Sequence, residues 1–424
     1  MLNIDTFEKN NLKVLGILVR YKRVTFGYSL RDLGKITNIS HTLISNFERG
    51  NKIPHNDTIK DIFKFLELDF YNDPNISKDF SILYKKILEH LFFYEYEDAK
   101  ELIKTIEKKR NIYEHSVEVI NFMIIRYLFY LLTGTYIEEK DKGLDQYEVV
   151  LEFFSSTQKQ LFYFIKGLDK LNQEYYSQAG MFFEKALRVG DRKIDLLIKE
   201  YYVKTLSKTN KFVDSRIIAD KCIREYEKQT NYVRAMRLRI MIAYDFIRIF
   251  KYKEAKEMYN FVYNYSVKYK VEDLENDCNT RMAHIAILEK DFEKARDYLV
   301  KVTPPYSRVF YYIKFDLIIH FGTEDDFLNY YNKVMANPWI NSHPKTMNFF
   351  KLILMRYDTK YMDKKEYERI LKEQINYAFL TNDSETMEIS SKFLIRFYKS
   401  ERRYKNALEV SENFLHRLRY GTNI

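Results

Sequence analysis

The sequence predicts an all-α chain, with a small N-terminal helical domain followed by a long array of helical hairpins. Three observations lead there. Glycine and proline are scarce, 11 and 6 in 424 residues, whereas a sheet-rich fold needs many turns built from them. Apolar residues recur at three- and four-residue intervals rather than in alternation. Aromatic residues are abundant, with 37 Tyr and 32 Phe against one Trp, which suits helices packed through large side chains. A chain of 424 residues also exceeds one ordinary core, so two or more domains or a repeat array are expected.

The first helix rests on Leu12, Leu15, Leu18 and Val19 and ends near Lys22 and Arg23. Ser29 then stands three residues before Asp32, a pair able to cap a helix start reciprocally, and that second helix runs to about Ile36. A tight turn follows at Thr37-Asn38-Ile39. Ser40 caps a third helix over His41 to Phe47, which Glu48-Arg49-Gly50 closes, with Gly50 supplying a left-handed position. Leu33, Ile36, Ile39, Ile44 and Phe47 are the expected core of this domain. Asp57 or Thr58 opens a further helix with Ile59, Ile62, Phe63 and Leu66 on one face.

Two short helices joined by a tight turn form a helix-turn-helix, which places the start of its second helix in the major groove of DNA. The run from Ser29 through Gly50, with Pro54, Thr58 and Ile59 beyond it, resembles the lambda-repressor/Cro-like (XRE) family over about 55 residues. That resemblance implies base contacts from His41, Thr42, Ser45 and Asn46, the last able to bond adenine bidentately. It implies phosphate contacts from Arg49 and Lys52, with Arg31 assisting. Two departures stand out. Leu30 occupies a place where the family usually has a phosphate-binding Gln, and Gly34 replaces a commoner Ala. The first implies weak single half-sites, hence binding as a dimer.

Bulk properties set outer limits. The formal charge is +10 and the first seventy residues hold 11 Lys and Arg against 8 Asp and Glu, so pattern is more informative there than charge. Cys222 and Cys278 belong to no CxxC pair, which fits a reducing, cytoplasmic compartment and argues against a zinc site. Residues 1–10 lack the apolar run of a signal peptide. The most apolar stretch, Val117 to Leu132, is broken by Glu118, Asn121 and Arg126, so it reads as a buried helix and no membrane span is expected.

Asp69 to Asp79, with Asn72, Asp73, Pro74 and Asn75, reads as a linker. The expected division is 1–70 for the DNA-binding domain, 71–79 for the linker and 80–424 for the repeats. Among those repeats a single template recurs. It is complete in Tyr176, Ala179, Phe183 and Ala186, and again in Tyr252, Ala255, Tyr259 and Val262, and in Phe292, Ala295, Leu299 and Val302. In each, a small residue (Gly167, Ala243 or Ala283) stands twelve positions before the template alanine. Weaker copies begin at Tyr96, Phe212 and Tyr404. Anchors at Ala179, Ser215, Ala255 and Ala295 are 36 to 40 residues apart, and the whole span has room for eight or nine hairpins. This pattern resembles the tetratricopeptide (TPR) repeat, and implies a right-handed superhelix in which stacked hairpins bury one another's faces.

An XRE-type helix-turn-helix followed by such an array resembles the RRNPP family of peptide-sensing Gram-positive transcription regulators, most closely the NprR/PlcR branch. The resemblance implies a cytoplasmic, quorum-sensing homodimer that binds double-stranded DNA and a short signalling peptide, without a cofactor. TPR geometry lines the groove with the first helix of each hairpin. The positions so selected are Phe164, Leu168, Leu171 and Asn172, then Glu200, Lys204 and Lys208, then Arg237, Tyr244 and Arg248, then Asp277, Thr280 and His284, a basic and polar stretch flanked by an apolar one and suited to holding a peptide carboxylate. An alternative gives the repeats a protein partner, for example a phosphotransfer protein, and no peptide. Catalysis is not expected: there is no HExxH, no Gly-rich phosphate loop, no GxSxG and no Cys/His nucleophile pair.

Overall fold

A computed structural model describes residues 9–71, 73–134, 144–190, 194–341 and 344–420. Residues 1–8, on which the reading of the N-terminus largely rests, lie outside them. The described residues are helical apart from turns and one isolated bridge, Tyr71 with Ser116. They divide into two compact units, residues 1–173 with 178–198, and residues 174–177 with 199–424.

The first unit opens with α1 (Lys9–Thr25), α2 (Leu30–Thr37), α3 (His41–Glu48) and α4 (Asn56–Phe65). Ser29 and Asp32 cap α2 reciprocally, and Ser40 accepts from the Leu43 N–H to cap α3. Asn38 (φ 54°) and Gly50 (φ 68°) take the left-handed positions that end α2 and α3. Leu15, Leu18, Val19, Leu33, Ile44, Phe47, Ile59 and Ile62 are buried together. Ile36 is a correction to the expected core, because it is 50% exposed. The inward face of the short α2 is set by Leu33 and Gly34, and at about 100° per residue Ile36 lies about 160° round from Gly34, at the edge of that face. Gly34 is explained by close approach: a Cβ there would lie 2.6 Å from the Ile39 carbonyl oxygen, so the tight turn has no room for alanine.

The unit continues with α5 (Pro74–Phe93), α6 (Tyr96–Lys108), α7 (Arg110–Glu114), α8 (Val119–Thr133), a 3-10 helix (Leu144–Phe153), α9 (Ser156–Asn172) and α10 (Tyr176–Arg188). The stretch read as linker is shorter than expected. Asp73 caps α5 and Pro74 occupies its first turn, a place where the missing N–H of proline costs nothing. The apolar stretch around Val119 to Phe129 is a buried helix, as expected, and no described helix is long and apolar enough to cross a membrane. The 3-10 helix packs on α1: the Tyr21 and Tyr147 rings stack at 4.8 Å, and Arg20 pairs with Glu152.

The helices after α10 are α11 (Asp195–Lys208), α12 (Phe212–Lys228), α13 (Tyr232–Arg248), α14 (Tyr252–Tyr269), α15 (Glu272–Leu288) and α16 (Phe292–Leu299). There follow α17 (Arg308–Phe321), α18 (Glu324–Met335), α19 (Pro338–Asn341), α20 (Pro344–Tyr357), α21 (Lys364–Thr381), α22 (Ser384–Ser400) and α23 (Tyr404–Tyr420). The fold is a TPR-like helical repeat. Ala243, Ala255, Tyr259 and Val262 sit in one core cluster, and Ala283, Ala295, Leu299 and Val302 in the next. Ser215 replaces the template alanine because its hydroxyl donates to Asp245 of the following hairpin at 3.2 Å.

The turns repeat as closely as the helices. Asn210, Thr230, Phe250 and Lys290 each adopt positive φ. The next residue's N–H then bonds the carbonyl five positions back: Lys211 to Leu206, Asn231 to Tyr226, Lys251 to Phe246 and Asp291 to Ala286, at 2.8 to 2.9 Å. This is the Schellman closure of a helix end, made here without glycine.

Candidate functional site

On α3 the side chains sort by angle. His41, Thr42, Ser45 and Asn46 fall within about 140° of one another, Ile44 and Phe47 point away from them, and Glu48 lies at the edge, about 20° round from His41 but seven residues along the helix. Ile44, Phe47 and Glu48 are buried, His41 and Thr42 are exposed, and Ser45 and Asn46 are half-buried. The backbone carbonyl of Asn46 accepts from the N–H groups of Asn51 and Lys52, at 2.9 and 3.3 Å, which folds the loop back beside the helix. Arg31, Arg49 and Lys52 are exposed and form no ion pair among the described residues.

One contact that aims α3 was not visible in the pattern. Arg23, at the end of α1, reaches Glu48 twice, Nε to Oε1 at 2.5 Å and Nη2 to Oε2 at 2.8 Å. Its remaining nitrogen donates to the Tyr28 carbonyl at 2.8 Å. Both side chains are buried, so the fork fixes the far end of α3 against α1.

A second site lies within the second unit, where α11, α13 and α15 present polar side chains at helical spacing: Lys204 and Lys208, Tyr244 and Arg248, Asp277, Arg281 and His284. A carboxylate from far along the chain enters this face. Glu385, in the first turn of α22, accepts from Lys208 Nζ at 3.0 Å and from the Tyr244 hydroxyl. Burial alone would raise its pKa, but Lys208, Tyr244 and Arg248 hold it down to about 2. The Arg281 guanidinium stands 4.4 Å from the Tyr244 ring centroid. His284 carries a buried Nδ1 with no hydrogen-bond partner, and burial, aided by Arg281, lowers its pKa to about 4. The side chain of Lys204 is reached by solvent, yet it is walled by neighbouring elements. Loss of surrounding water and the charge of Lys208 pull its pKa below the normal lysine value.

The expected ligand residues divide under this geometry. Lys204, Tyr244 and His284 share the face with Glu385. Arg248 lies beside it but donates to the Ser207 carbonyl and Asn210 Oδ1 at 2.8 and 2.6 Å, anchoring the α11–α12 turn. Arg237 pairs with Asp273 at 3.3 Å. Glu200 is a correction: it is 7% exposed and takes both Arg234 and the Tyr226 hydroxyl, so it is an internal counter-charge. Thr280 is another, at 5% exposure. Asn172 belongs to the first unit, where it donates to the Leu131 carbonyl at 3.1 Å. Sequence reasoning missed Arg281 and Glu385. Arg281 stands one helical turn from Asp277 and from His284 and could have been found by spacing. Glu385 lies more than a hundred residues from its partners, and no local signal marks it.

Elsewhere, among the described residues, His90, Glu95 and Asp98 bring possible ligand atoms within 4.8 Å of one another. His90 Nδ1 lies 2.7 Å from Glu95 and the group is on the surface, so a surface ion pair accounts for it.

Comparison with known proteins agrees with this architecture. Residues 19–71 match the helix-turn-helix family model. A Rap protein complexed with competence and sporulation factor superposes with a TM-score of 0.65 at 13% identity, over 80% of this chain and 97% of that one. NprR in complex with its cognate peptide NprX gives 0.62 at 13% identity, over 79% and 98%. The apo form of NprR from B. thuringiensis gives 0.55 at 12% identity, over 80% and 99%. No curated protein sequence matches the chain. The class is therefore a helix-turn-helix domain joined to a TPR-like helical repeat. Its repeat fold is that of NprR and Rap, in line with the RRNPP resemblance read from the sequence.

Proposed function

We propose that this chain is a DNA-binding transcription regulator whose repeat domain receives a short signalling peptide. One observation carries the reading: an exposed polar face on a rigidly aimed α3 stands in the same chain as a repeat fold shared with the peptide complex of NprR. In this reading residues 1–70 bind DNA, 71–79 connect and 80–424 sense. Asn46, Ser45, Thr42 and His41 read base edges, and Arg49, Lys52 and Arg31 hold phosphates. Leu30 in place of a phosphate-binding side chain supports a homodimer on an inverted repeat, with half-sites about one helical turn or a multiple apart. The cationic face of α11, α13 and α15 supplies the partner for a peptide carboxylate, a charge-assisted contact. The protein works in the cytoplasm and as a regulator rather than an enzyme.

A second reading has support of its own. The Rap fold superposes at 0.65, and that of an aspartyl phosphate phosphatase from Bacillus subtilis at 0.51. In that reading the repeats dock a partner protein. Calorimetry with heptapeptides encoded by short reading frames beside the gene separates the two. Micromolar or tighter binding to the intact chain supports the peptide reading. Absence of binding across that set, together with capture of a phosphotransfer protein, replaces it with the second.

A further inference from the structure

Glu385 arrives from α22 and makes hydrogen bonds to the α11–α13–α15 face. Lys208 Nζ and the Tyr244 hydroxyl hold it. Lys204, one turn from Lys208, has no hydrogen bond or ion pair among the described residues, and Arg281, over the Tyr244 ring, has none either, although the charges of Asp277 and Glu385 act on it. His284 Nδ1 is buried without a partner beside them. Two further acids stand among these cations and burial pushes both toward their neutral form, Asp277 against the pull of Arg237 and Arg281, and Asp245 against that of Ser207, Ser215, Arg248 and Lys208. The face therefore holds donors, on Lys204 and Arg281, that one further anion would satisfy.

The turn before Glu385 is joined to residues 175–177 by a polar and a ring contact, while Ala378, Thr381 and Met387 are buried on either side of it. Asn382 Nδ2 donates to Ser177 Oγ at 2.8 Å, and the Tyr175 and Tyr377 rings stand 6.4 Å apart. Asp383 caps the start of α22 by accepting from Thr386 N at 3.2 Å, so the turn bearing Glu385 holds its shape through its own bonds. Contacts of this kind at a turn break and reform more readily than the apolar packing of the helices on either side.

We propose that Glu385 is an internal stand-in for a ligand carboxylate: a peptide carboxylate takes its place on Lys208 and Tyr244, is joined by Lys204 and Arg281, and releases the α21–α22 turn. The proposal rests on the peptide reading of the same face and adds its regulation. The ligand competes with a segment of the receptor, so binding and release of α22 are one event. Loss of the competitor raises the affinity for any carboxylate that fits.

The test uses the intact chain and two defined probes: N-acetyl-diglutamate, and a random heptapeptide library made with either free or amidated C-termini. Glu385→Gln keeps the side-chain shape and removes the charge. It should bind the dipeptide about tenfold more tightly than wild type, as expected when a charge-assisted contact no longer has to be displaced. Lys208→Met should abolish that binding in both backgrounds. Hydrogen exchange of residues 376–387 should quicken in wild type on adding the dipeptide and be already fast in Glu385→Gln. Equal affinities in wild type and Glu385→Gln, or no dipeptide binding to Glu385→Gln, overturn the proposal. If library peptides bind both chains equally, the peptide reading survives and the stand-in fails. If the dipeptide shows the tenfold difference but no library peptide binds, the stand-in holds and the peptide reading falls.

Discussion

Arg23 and Glu48 form a buried two-pronged ion pair that ties the end of α1 to the end of α3, with nitrogen–oxygen distances of 2.5 and 2.8 Å. Removing one partner leaves an uncompensated charge in the core, which costs about 3–5 kcal/mol. Glu48→Gln should therefore destabilise α1–α4 by that order. It should abolish sequence-specific DNA binding while α11–α16 keep their hydrogen-exchange protection. The double variant Arg23→Met with Glu48→Leu should recover most of the stability, because apolar residues of similar volume fill such sites without a charge to satisfy. Equal stability of Glu48→Gln and wild type would mean that packing alone aims α3.

On the exposed side of α3, Asn46→Ala should leave the fold intact and lower discrimination between operator and random DNA by roughly 1–3 kcal/mol. Arg49→Ala should instead weaken both DNAs alike and flatten the salt dependence by about one. Gel shifts at several salt concentrations distinguish these outcomes. Unchanged discrimination by Asn46→Ala would remove α3 from the base-reading role.

In the repeats, a Cβ added to Gly167 would lie 2.3 Å from the Phe183 ring. Gly167→Ala should lower stability by about 1–3 kcal/mol through overpacking, and Phe183→Leu should relieve some of that strain. Thermal melting of the single and double variants checks this. A neutral Gly167→Ala would mean that the two helices separate at little cost.

The pH dependence of stability should show two windows. His284 has a folded pKa of about 4 against an ordinary 6.5, so the unfolded chain binds its proton first. Stability from this group is complete above pH 6.5 and falls as pH drops toward 4, by on the order of 3 kcal/mol. Glu385 behaves as a stabilised carboxylate: its pKa is held at about 2, so its contribution is present above about pH 4.5 and lost toward 2. His284→Gln should flatten the upper window and Glu385→Gln the lower one. A melting curve series between pH 8 and about pH 2 reads both, and a slope between 6.5 and 4 that survives His284→Gln would assign that window to another group.

The local features of the fold were the legible ones. Ser29, Asp32, Ser40 and Gly50 act at the places their chemistry suggested, because caps depend on neighbours three or four residues away. Ala255 and Ala295 mark hairpin seams for the same reason. Ile36 was misassigned because an eight-residue helix offers too few turns to fix its inward face. The hairpin turns were hidden, since Thr230, Phe250 and Lys290 adopt a backbone conformation that glycine usually signals. At the candidate ligand face, spacing selected Lys204, Tyr244 and His284. It also selected Glu200, whose role is decided by Arg234 of the next hairpin. Glu385 depends on tertiary contact alone.

The most direct measurement is the affinity of the intact chain for operator DNA, by fluorescence anisotropy, with and without a saturating heptapeptide that calorimetry has shown to bind. A peptide-responsive DNA regulator predicts a change in DNA affinity, with the peptide's own affinity altered by DNA through the same factor. In Lys208→Met the peptide effect should vanish while peptide-free DNA binding stays at the wild-type level. DNA affinity that is identical with and without the bound peptide would contradict the account, because the repeats would then hold a ligand without regulating the helix-turn-helix.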